Sequence, residues 1–239
     1  MLEATIKVPL MKNILKGLQS VSEDCILDFN TNGLTVHVVD SIRAKMLRLR
    51  VSPEGFETYE CDERHRLAVQ LSKVKDITKS LTASDQLKLE FSEGQFSLVA
   101  NDMKRVVRLK RLELVFDLPQ MPSFDYEFNT TIEKSKEVRD YLKTVDKIPV
   151  FQVQIEDKNM IWRTLDRDEL ITWTPNLELE CDEEFNNIQL FTTNQVLDLI
   201  SATTKEPLLL RGGGSSCPME FSWTPTTGVE YTGLVAPRL

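Results

Sequence analysis

Few side chains in this sequence could carry chemistry, and they are poorly grouped. The chain has two histidines, His37 and His65, and four cysteines without a Cys-x-x-Cys pair, at positions 25, 61, 181 and 217. Zinc sites need several such residues at short, regular spacings. We therefore predict no metal site, and we expect the cysteines to be reduced, buried thiols.

Two other patterns could be taken for active-site motifs. Asp166 and Asp168 form a carboxylate pair, and residues 211–216 read Arg-Gly-Gly-Gly-Ser-Ser. The pair has no neighbouring residue that completes a metal site, and the glycine run lacks the Lys-Ser/Thr of a phosphate-binding loop. A solvated loop and a hairpin turn are the favoured interpretations, so we predict no catalytic residue and no cofactor.

Composition describes the scaffold that must position any functional surface. The 239 residues are 41% hydrophobic and 28% charged, which is typical of a folded globular protein and excludes disorder as the main state. The apolar runs are too short for a bilayer span, and the N-terminal residues lack a signal-peptide pattern, so no export is expected. A net charge of −8 argues against a protein that simply coats nucleic acid.

Periodicity indicates an internally duplicated α+β fold. Short alternating segments separated by turn residues predict antiparallel strands. Four segments have a helical period instead, at about 9–21, 71–81, 131–145 and 193–204. The first two begin at the same spacing as the last two, which predicts a duplication. The predicted domains are 1–111 and 125–239, and an apolar, proline-containing connector spans 112–124.

The exposed helix faces are basic although the whole chain is acidic. Such a face could follow phosphates without reading bases, whereas the plainer interpretation is an ordinary solvated helix surface. The residues predicted to face nucleic acid are Lys12, Lys16, Lys75, Lys79, Lys136, Arg139, Lys143 and Lys205.

A second charge asymmetry concerns strand edges. Residues 104–111 hold five basic residues and no acid, whereas acidic residues surround 171–173 and fill 178–184. Oppositely charged edges would dock head to tail and could close a ring; a charged hairpin within one half is the alternative. The predicted subunit-interface residues are Lys104, Arg105, Arg108, Lys110, Arg111, Glu169, Ile171 and Trp173.

Four stretches resemble the PCNA-type sliding clamps. They are Val-Val-Asp-Ser-Ile-Arg-Ala-Lys-Met at 38–46, Glu-Gly-Phe-Glu-Thr-Tyr-Glu-Cys-Asp at 54–62, Phe-Asp-Leu-Pro at 116–119 and the ending Leu-Val-Ala-Pro-Arg-Leu at 234–239. The resemblance extends along essentially the whole chain, in order.

The resemblance implies a non-catalytic homotrimeric ring around duplex DNA, with two clamp domains per subunit, helices lining the hole and sheets outside. It implies that a clamp loader, DNA polymerase, flap nuclease and ligase bind through PIP-box motifs. The implied partner pocket contains Val39, Arg43, Ala44, Met46, Phe116, Leu118, Pro119, Pro218, Leu234, Val235, Ala236 and Pro237.

Three features depart from the family pattern. Phe116 and Asp117 stand where small or aliphatic residues are usual, Leu234 replaces an aromatic residue, and the fourth helix is poor in basic residues. The short chain favours an archaeal or viral source, with action at the nucleoid or a viral replication site; a nuclear location is the alternative. Rival hypotheses are a heteromeric clamp subunit, a monomeric processivity factor and a metal-dependent nucleic-acid hydrolase.

Overall fold

A computed structural model describes residues 1–166 and 168–238 of the chain. It divides into two compact units. Unit 1 contains Met1–Asp40, Leu47–Met121 and Thr226–Tyr231; unit 2 contains Ser41–Met46, Pro122–Pro225 and the residues from Thr232 onward. Each unit is thus built mainly from one half of the sequence and takes a short segment from the other half.

Unit 1 combines two helices with antiparallel strands. Its elements are β1 (Leu2–Lys7), α1 (Val8–Gln19), β2 (Asp24–Asn30), β3 (Gly33–Val39), β4 (Lys45–Val51), β5 (Thr58–Cys61), β6 (His65–Gln70), α2 (Leu71–Thr78), β7 (Gln86–Ser92), β8 (Gln95–Ala100) and β9 (Met103–Val107). The strand orders are β5-β1-β7-β8-β9 and β4-β3-β2-β6. The first two residues of β4 belong to unit 2.

Unit 2 repeats this arrangement. Its elements are β10 (Phe128–Ile132), α3 (Ser135–Thr144), β11 (Val150–Glu156), β12 (Asn159–Thr164), β13 (Thr172–Trp173), β14 (Glu180–Cys181), β15 (Asn187–Thr192), α4 (Thr193–Leu199), β16 (Leu208–Gly212), β17 (Met219–Thr226) and β18 (Val229–Val235). The strand orders are β14-β10-β16-β17-β18 and β13-β12-β11-β15. The start of β18 and the last residue of β17 belong to unit 1.

The duplication predicted from the sequence is confirmed at the level of topology. Each half reads strand, helix, five strands, helix, three strands, and the two sheet orders correspond strand for strand. The α+β class with antiparallel sheets is likewise confirmed. By this correspondence β9 is the counterpart of β18, and β13 is the counterpart of β4.

The prediction that the helices of the two halves begin at equal spacing was wrong in detail. The third helix begins at Ser135 instead of Thr131, because Phe128–Ile132 pairs with β16 as a strand. The β-branched run Thr130, Thr131 and Ile132 favours that extended conformation.

Two helices also end earlier than predicted. Helix α2 stops at Thr78, whose hydroxyl donates to the Lys75 carbonyl at 2.8 Å. Helix α4 stops at Leu199 and tightens into a 3-10 turn, Ile200–Ala202, where the Thr203 hydroxyl donates to the Ile200 carbonyl. Short hydroxyl side chains compete with helical backbone bonds in this way.

Apolar helix faces pack on the sheets and leave the opposite faces exposed. Helix α1 buries Val8, Met11, Ile14, Leu15 and Leu18. In unit 2, Tyr141 of α3 contacts Trp162 edge-on, and Trp162 stacks on Phe151 with ring centroids 5.1 Å apart. Each fully buried large side chain contributes about 1.5–3 kcal/mol, so this packing fixes which helix side faces solvent.

All four thiols are free, as predicted, but only Cys25 is fully buried. The others are half-buried because they occupy short edge strands or a loop. Across residues 1–166 and 168–238, no helix is long and apolar enough to cross a membrane.

Candidate nucleic-acid and partner interfaces

The two helices of unit 1 pack against each other and present their lysines together. The Lys12 ammonium donates to the Leu81 carbonyl at 2.9 Å, just beyond α2. Lys75 of α2 reaches back to the side chain of Gln19 at 3.1 Å. These cross-helix bonds place the predicted lysines of α1 and α2 on one exposed surface.

The local sequence explains why this surface is positive. The buried residues of α1 recur at helical spacing, so Lys12 and Lys16 fall on the opposite side, and α1 itself contains no acidic residue. On α2, Asp76 is bonded to Lys79 at 2.7 Å, and this hydrogen bond lowers the pKa of Asp76. Exposed pairs of this kind contribute little to stability, so Lys79 can exchange its partner for a phosphate.

The helices of unit 2 form a weaker counterpart. Lys136 bonds to Asp140 on the same helix and lowers the pKa of that carboxyl group. Arg139 donates to the Thr204 carbonyl at 2.7 Å, while Lys143 and Lys205 are exposed. Helix α4 contains no basic residue, as its sequence indicated. The predicted basic surface is therefore concentrated in unit 1.

The basic edge strand is shorter than predicted, and part of its charge is neutralised. Strand β9 ends its sheet but stops at Val107. Lys104 pairs with Glu90 at 3.2 Å, Arg105 pairs with Asp76 at 3.2 Å, and Lys110 bonds to Asp24. Acids that are distant in sequence therefore neutralise three of the five basic residues of this segment.

A basic groove of about 550 Å³ remains beside β9. Exposed Arg108 and Arg111 line it, together with Lys73 of α2 and the 75% exposed Leu114. Lys73 was not predicted, because it lies away from the centre of the helix face that carries Lys75 and Lys79. The groove is a positively charged, partly apolar surface next to an open strand edge.

Unit 2 has an acidic groove of about 520 Å³ and an edge strand. Glu133, Glu178 and Glu180 line the groove. Strand β13 ends the other sheet, and its Trp173 stacks on Tyr141 at 5.5 Å. Of the remaining predicted interface residues, Glu169 is exposed and Ile171 is half-buried, directly before β13.

The possible carboxylate site at 166–168 has a simpler structural explanation. The Asp168 amide donates to the Asp166 carboxylate at 2.8 Å, and residue 167 lies outside the described residues. The glycine run is a turn between β16 and β17, as predicted. There the Gly214 amide donates to the Glu127 carboxylate, so a side chain of the protein itself takes up this hydrogen-bond donor of the loop.

In unit 2, residues predicted for the partner pocket are joined by backbone bonds. The Ala236 amide donates to the Ala44 carbonyl at 2.8 Å, and the Arg238 amide donates to Leu190 at 2.7 Å. Arg43 is exposed with a positive φ of 57°, whereas Met46, Pro218 and Pro237 are half-buried. The final residue of the predicted motif, Leu239, lies outside the described residues.

Three predicted pocket residues are buried. Leu234 and Val235 are 4% and 0% exposed in strand β18, and Val39 at the end of β3 is 9% exposed. The assignment of Leu234 to a surface segment was wrong, because this strand places consecutive residues inside unit 2.

The connector residues belong to unit 1 and are more accessible. Phe116 is 55% exposed, Leu118 is half-buried and Pro119 is exposed. Asp117 pairs with Arg66 of β6 at 2.6 Å. Beneath this segment lies a polar cavity of about 280 Å³ that includes His37. Burial lowers the pKa of His37, although a backbone hydrogen bond with Leu118 opposes that effect.

The chain is similar to known proteins along its length. The family described as "Proliferating cell nuclear antigen, N-terminal domain" matches residues 1–118. The DNA polymerase sliding clamp of Haloarcula marismortui is 23% identical over 256 residues, covering 100% of this chain and 99% of that protein. The corresponding protein of Methanothrix thermoacetophila is 20% identical over 251 residues, with the same coverage.

Solved structures agree on the fold. A structure described as the C-terminal region of FEN-1 bound to A. fulgidus PCNA matches with a TM-score of 0.91 at 16% identity, covering 100% of this chain and 99% of that one. PCNA of Entamoeba histolytica matches with a TM-score of 0.87 at 15% identity, with the same coverage. Together with the repeated topology, these matches identify the chain as a PCNA-type protein, whose residues 1–118 belong to the family's N-terminal domain.

Proposed function

We propose that this chain is a DNA sliding clamp: a ring of three identical subunits that encircles duplex DNA and tethers replication and repair enzymes. Its function is topological and requires no catalytic residue. Relatives named DNA polymerase sliding clamp, and a matching PCNA structure described as bound to FEN-1, support this proposal. The partners proposed from the resemblance are a clamp loader, polymerase, flap nuclease and ligase.

The proposal rests on a difference between strands that occupy equivalent positions in the two units: the edge of such a strand is covered in one unit and open in the other. Beside the end of β4 in unit 1, the Ser52 amide donates to the Gly228 carbonyl at 2.8 Å, so the 226–231 segment covers β4. In unit 2 the counterpart of β4 is β13, which ends its sheet. In unit 1 the counterpart of β18 is β9, which also ends its sheet. The duplicated topology therefore leaves two complementary edges open on each chain.

Charge favours pairing of β9 in one copy with β13 in the next. The groove beside β9 contains Arg108 and Arg111, whereas the exposed Asp168 and Glu169 lie shortly before β13. Because the two surfaces differ, the contact is heterologous, and repeated rotation can close a ring. Backbone pairing would supply affinity, and the charges would fix direction and register.

The helix surfaces supply the proposed contact with DNA. Lys12, Lys16, Lys75 and Lys79 are exposed on one face of unit 1. Loose, sequence-independent phosphate contacts suit a protein that must slide. A ring need not bind tightly, since encirclement retains the DNA and docked enzymes stay at high effective concentration.

Two measurements test this function. Native mass spectrometry should give about three chains per particle. Clamp loaded on nicked circular DNA should remain bound through gel filtration and should be released when the circle is linearised. A charge-reversed Arg108→Glu, Arg111→Glu variant should remain folded and monomeric and should not be retained. Equal retention on linear and circular DNA would refute encirclement.

A heteromeric ring is the second candidate. It is favoured by the match to a structure described as the PCNA2–PCNA3 complex from Sulfolobus tokodaii, with a TM-score of 0.86 and 16% identity. In that case the purified chain would be a monomer or dimer, and only a mixture with its partner chain would be retained on circular DNA. In either assembly we expect the protein to act where the genome is replicated.

A further inference from the structure

The turn between β5 and β6 groups three possible metal ligands in unit 1. One ligand atom each from Asp62, Glu63 and His65 lies within 4.8 Å of the others. Strand β5 belongs to one sheet of unit 1 and β6 to the other. The cluster therefore lies where the chain passes between the two sheets of unit 1, and β5 is at the opposite end of its sheet from β9.

His65 distinguishes this cluster from an ordinary group of surface acids. Its side chain is 8% exposed, although it begins strand β6 beside the exposed turn. The Nε2 atom is buried without a hydrogen bond, and it lies 3.4 Å from the Asp62 carboxylate. The other side of the ring contacts Phe91 edge-on at 5.2 Å. The contact with Asp62 lacks hydrogen-bond geometry, whereas buried polar atoms are nearly always well bonded, so a ligand at this nitrogen would complete its bonding.

We propose that Asp62, Glu63 and His65 bind a divalent transition-metal ion of the zinc class. An imidazole nitrogen with two carboxylates is a donor set for borderline ions, whereas calcium and magnesium prefer oxygen alone. The ion would satisfy the buried Nε2 atom and neutralise the two adjacent acids. Solvent would complete its coordination, because Asp62 and Glu63 are exposed.

The N-terminal ammonium of Met1 also contacts the Asp62 carboxylate. The ammonium and Asp62 are 60% and 62% exposed, and such exposed ion pairs contribute little. A metal ion can therefore displace the ammonium, which marks the position where positive charge is accepted.

The proposed ion would fix the turn that joins two strands of different sheets, because Asp62 and Glu63 lie in the turn and His65 begins β6. β5 pairs with β1, whereas β6 pairs with β2. Binding to the folded state alone raises the temperature of unfolding. The ion is thus a structural link within unit 1, and the inference does not depend on the proposed function.

Cobalt(II) absorption and zinc calorimetry on the metal-free full-length chain test the site. Wild type should bind one ion per chain and should melt at a higher temperature when zinc is present. His65→Gln should weaken binding by about tenfold or more, the range seen when support for a metal site is removed. His37→Gln is the matched control, because it removes the other histidine and should bind like wild type.

The Glu63→Gln variant tests the same site without disturbing a buried residue. Glu63 is exposed, so this variant should melt like wild type without metal yet bind zinc several-fold more weakly. Cys61→Ser tests the adjacent thiol, whose Sγ atom lies 3.0 Å from the Glu63 carbonyl. The proposal is overturned if wild type binds no ion, if His65→Gln and Glu63→Gln bind like wild type, or if only Cys61→Ser loses binding.

Discussion

The Asp117 carboxylate lies 2.6 Å from the guanidinium of Arg66, so the start of the connector is held against strand β6. Asp117 is one of the positions where the sequence departs from the family pattern, and this ion pair gives it a structural role. Arg66 also lies 3.9 Å from Asp28, which in turn pairs with Arg64. The aspartate therefore joins a network of charges beneath Leu118.

The first prediction concerns this ion pair. Asp117→Asn should destabilise unit 1 only slightly, by about 0–1 kcal/mol, because both side chains are partly exposed. It should nevertheless increase amide hydrogen exchange in residues 112–121. A double-mutant cycle with Arg66→Gln should give a coupling of about 0.5 kcal/mol in urea unfolding. Unchanged exchange in Asp117→Asn would show that the 3-10 turn, Leu112–Leu114, alone positions the connector.

The sequence was informative where structure depends on local periodicity. The buried faces of α1 and α3 and the exposed lysines on their opposite sides follow from helical spacing, and the duplication follows from the repeated order of helices and strands. Contacts between distant residues were not predictable in this way. Lys110 with Asp24 and Arg105 with Asp76 join positions on different strands and helices, so the charge of a single segment could not reveal its neutralisation.

The position of Leu234 illustrates the second limit. Its resemblance to a C-terminal motif suggested a surface pocket, but a motif match does not give the exposure of each side chain. Residues Val229–Val235 form a strand in which all residues but Glu230 are buried. Buried and exposed side chains therefore do not alternate along it. Leu234 and Val235 are consecutive apolar residues at the end of this strand, a pattern that is consistent with burial on both faces.

The second prediction concerns the open edge strand. Arg108→Glu with Arg111→Glu should convert the assembly to monomers at moderate salt, measured by light scattering. These residues are preferable to Lys110, whose reversal would place two carboxylates together at Asp24. Lys147→Glu, in the exposed segment between α3 and β11, should remain assembled as the control. An intact trimer in the double variant would exclude the basic groove as the contact.

Dissociation should also be visible through Trp173. This residue stacks on Tyr141 beside the edge strand β13. Loss of the neighbouring subunit should expose the indole and shift its emission to longer wavelength. A Trp173→Phe variant would identify the source of that shift.

The third prediction separates the two helix surfaces. Alanine at Lys12, Lys16, Lys75 and Lys79 should reduce polymerase stimulation and lower the salt dependence of DNA binding by about one counterion per lost phosphate contact. Alanine at Lys136, Arg139 and Lys143 should have a smaller effect, because helix α4 contributes no basic residue to the surface of unit 2. The native mass of both variants should be unchanged. Equal effects of the two sets would contradict the asymmetry between the units.

The fourth prediction distinguishes a binding residue from a buried one. Leu118→Ala should weaken binding of a PIP-box peptide by about 1–3 kcal/mol in calorimetry with little loss of stability, since Leu118 is only half-buried. Leu234→Ala should instead lower the free energy of unfolding by about 2–5 kcal/mol, because Leu234 is 4% exposed. If the Leu234→Ala variant is stable but no longer binds the peptide, Leu234 contributes to the surface of the partner pocket instead.

The last prediction concerns the pH dependence of unit 1. Burial is the main cause that lowers the pKa of His37, and Arg48 and Arg50 act in the same direction, while the Leu118 backbone and Asp28 oppose them. Arg64, Arg66 and Asp117 line the same cavity. The folded state therefore binds fewer protons at His37 than the unfolded state, whose pKa is about 6.5. By linkage, this contribution to stability is complete above about pH 6.5 and declines as the pH falls from there toward the lower folded-state pKa.

Urea unfolding at a series of pH values between about 5.5 and 7.5 measures this effect. In wild type the free energy of unfolding should decrease toward the acidic end, and His37→Gln should flatten the curve because it removes the titrating group. Carboxyl groups titrate mainly below this range, so their contribution should be common to both proteins. If the two curves remain parallel, the imidazole of His37 is as easily protonated in the folded chain as in the unfolded one, and the connector does not shield it from solvent.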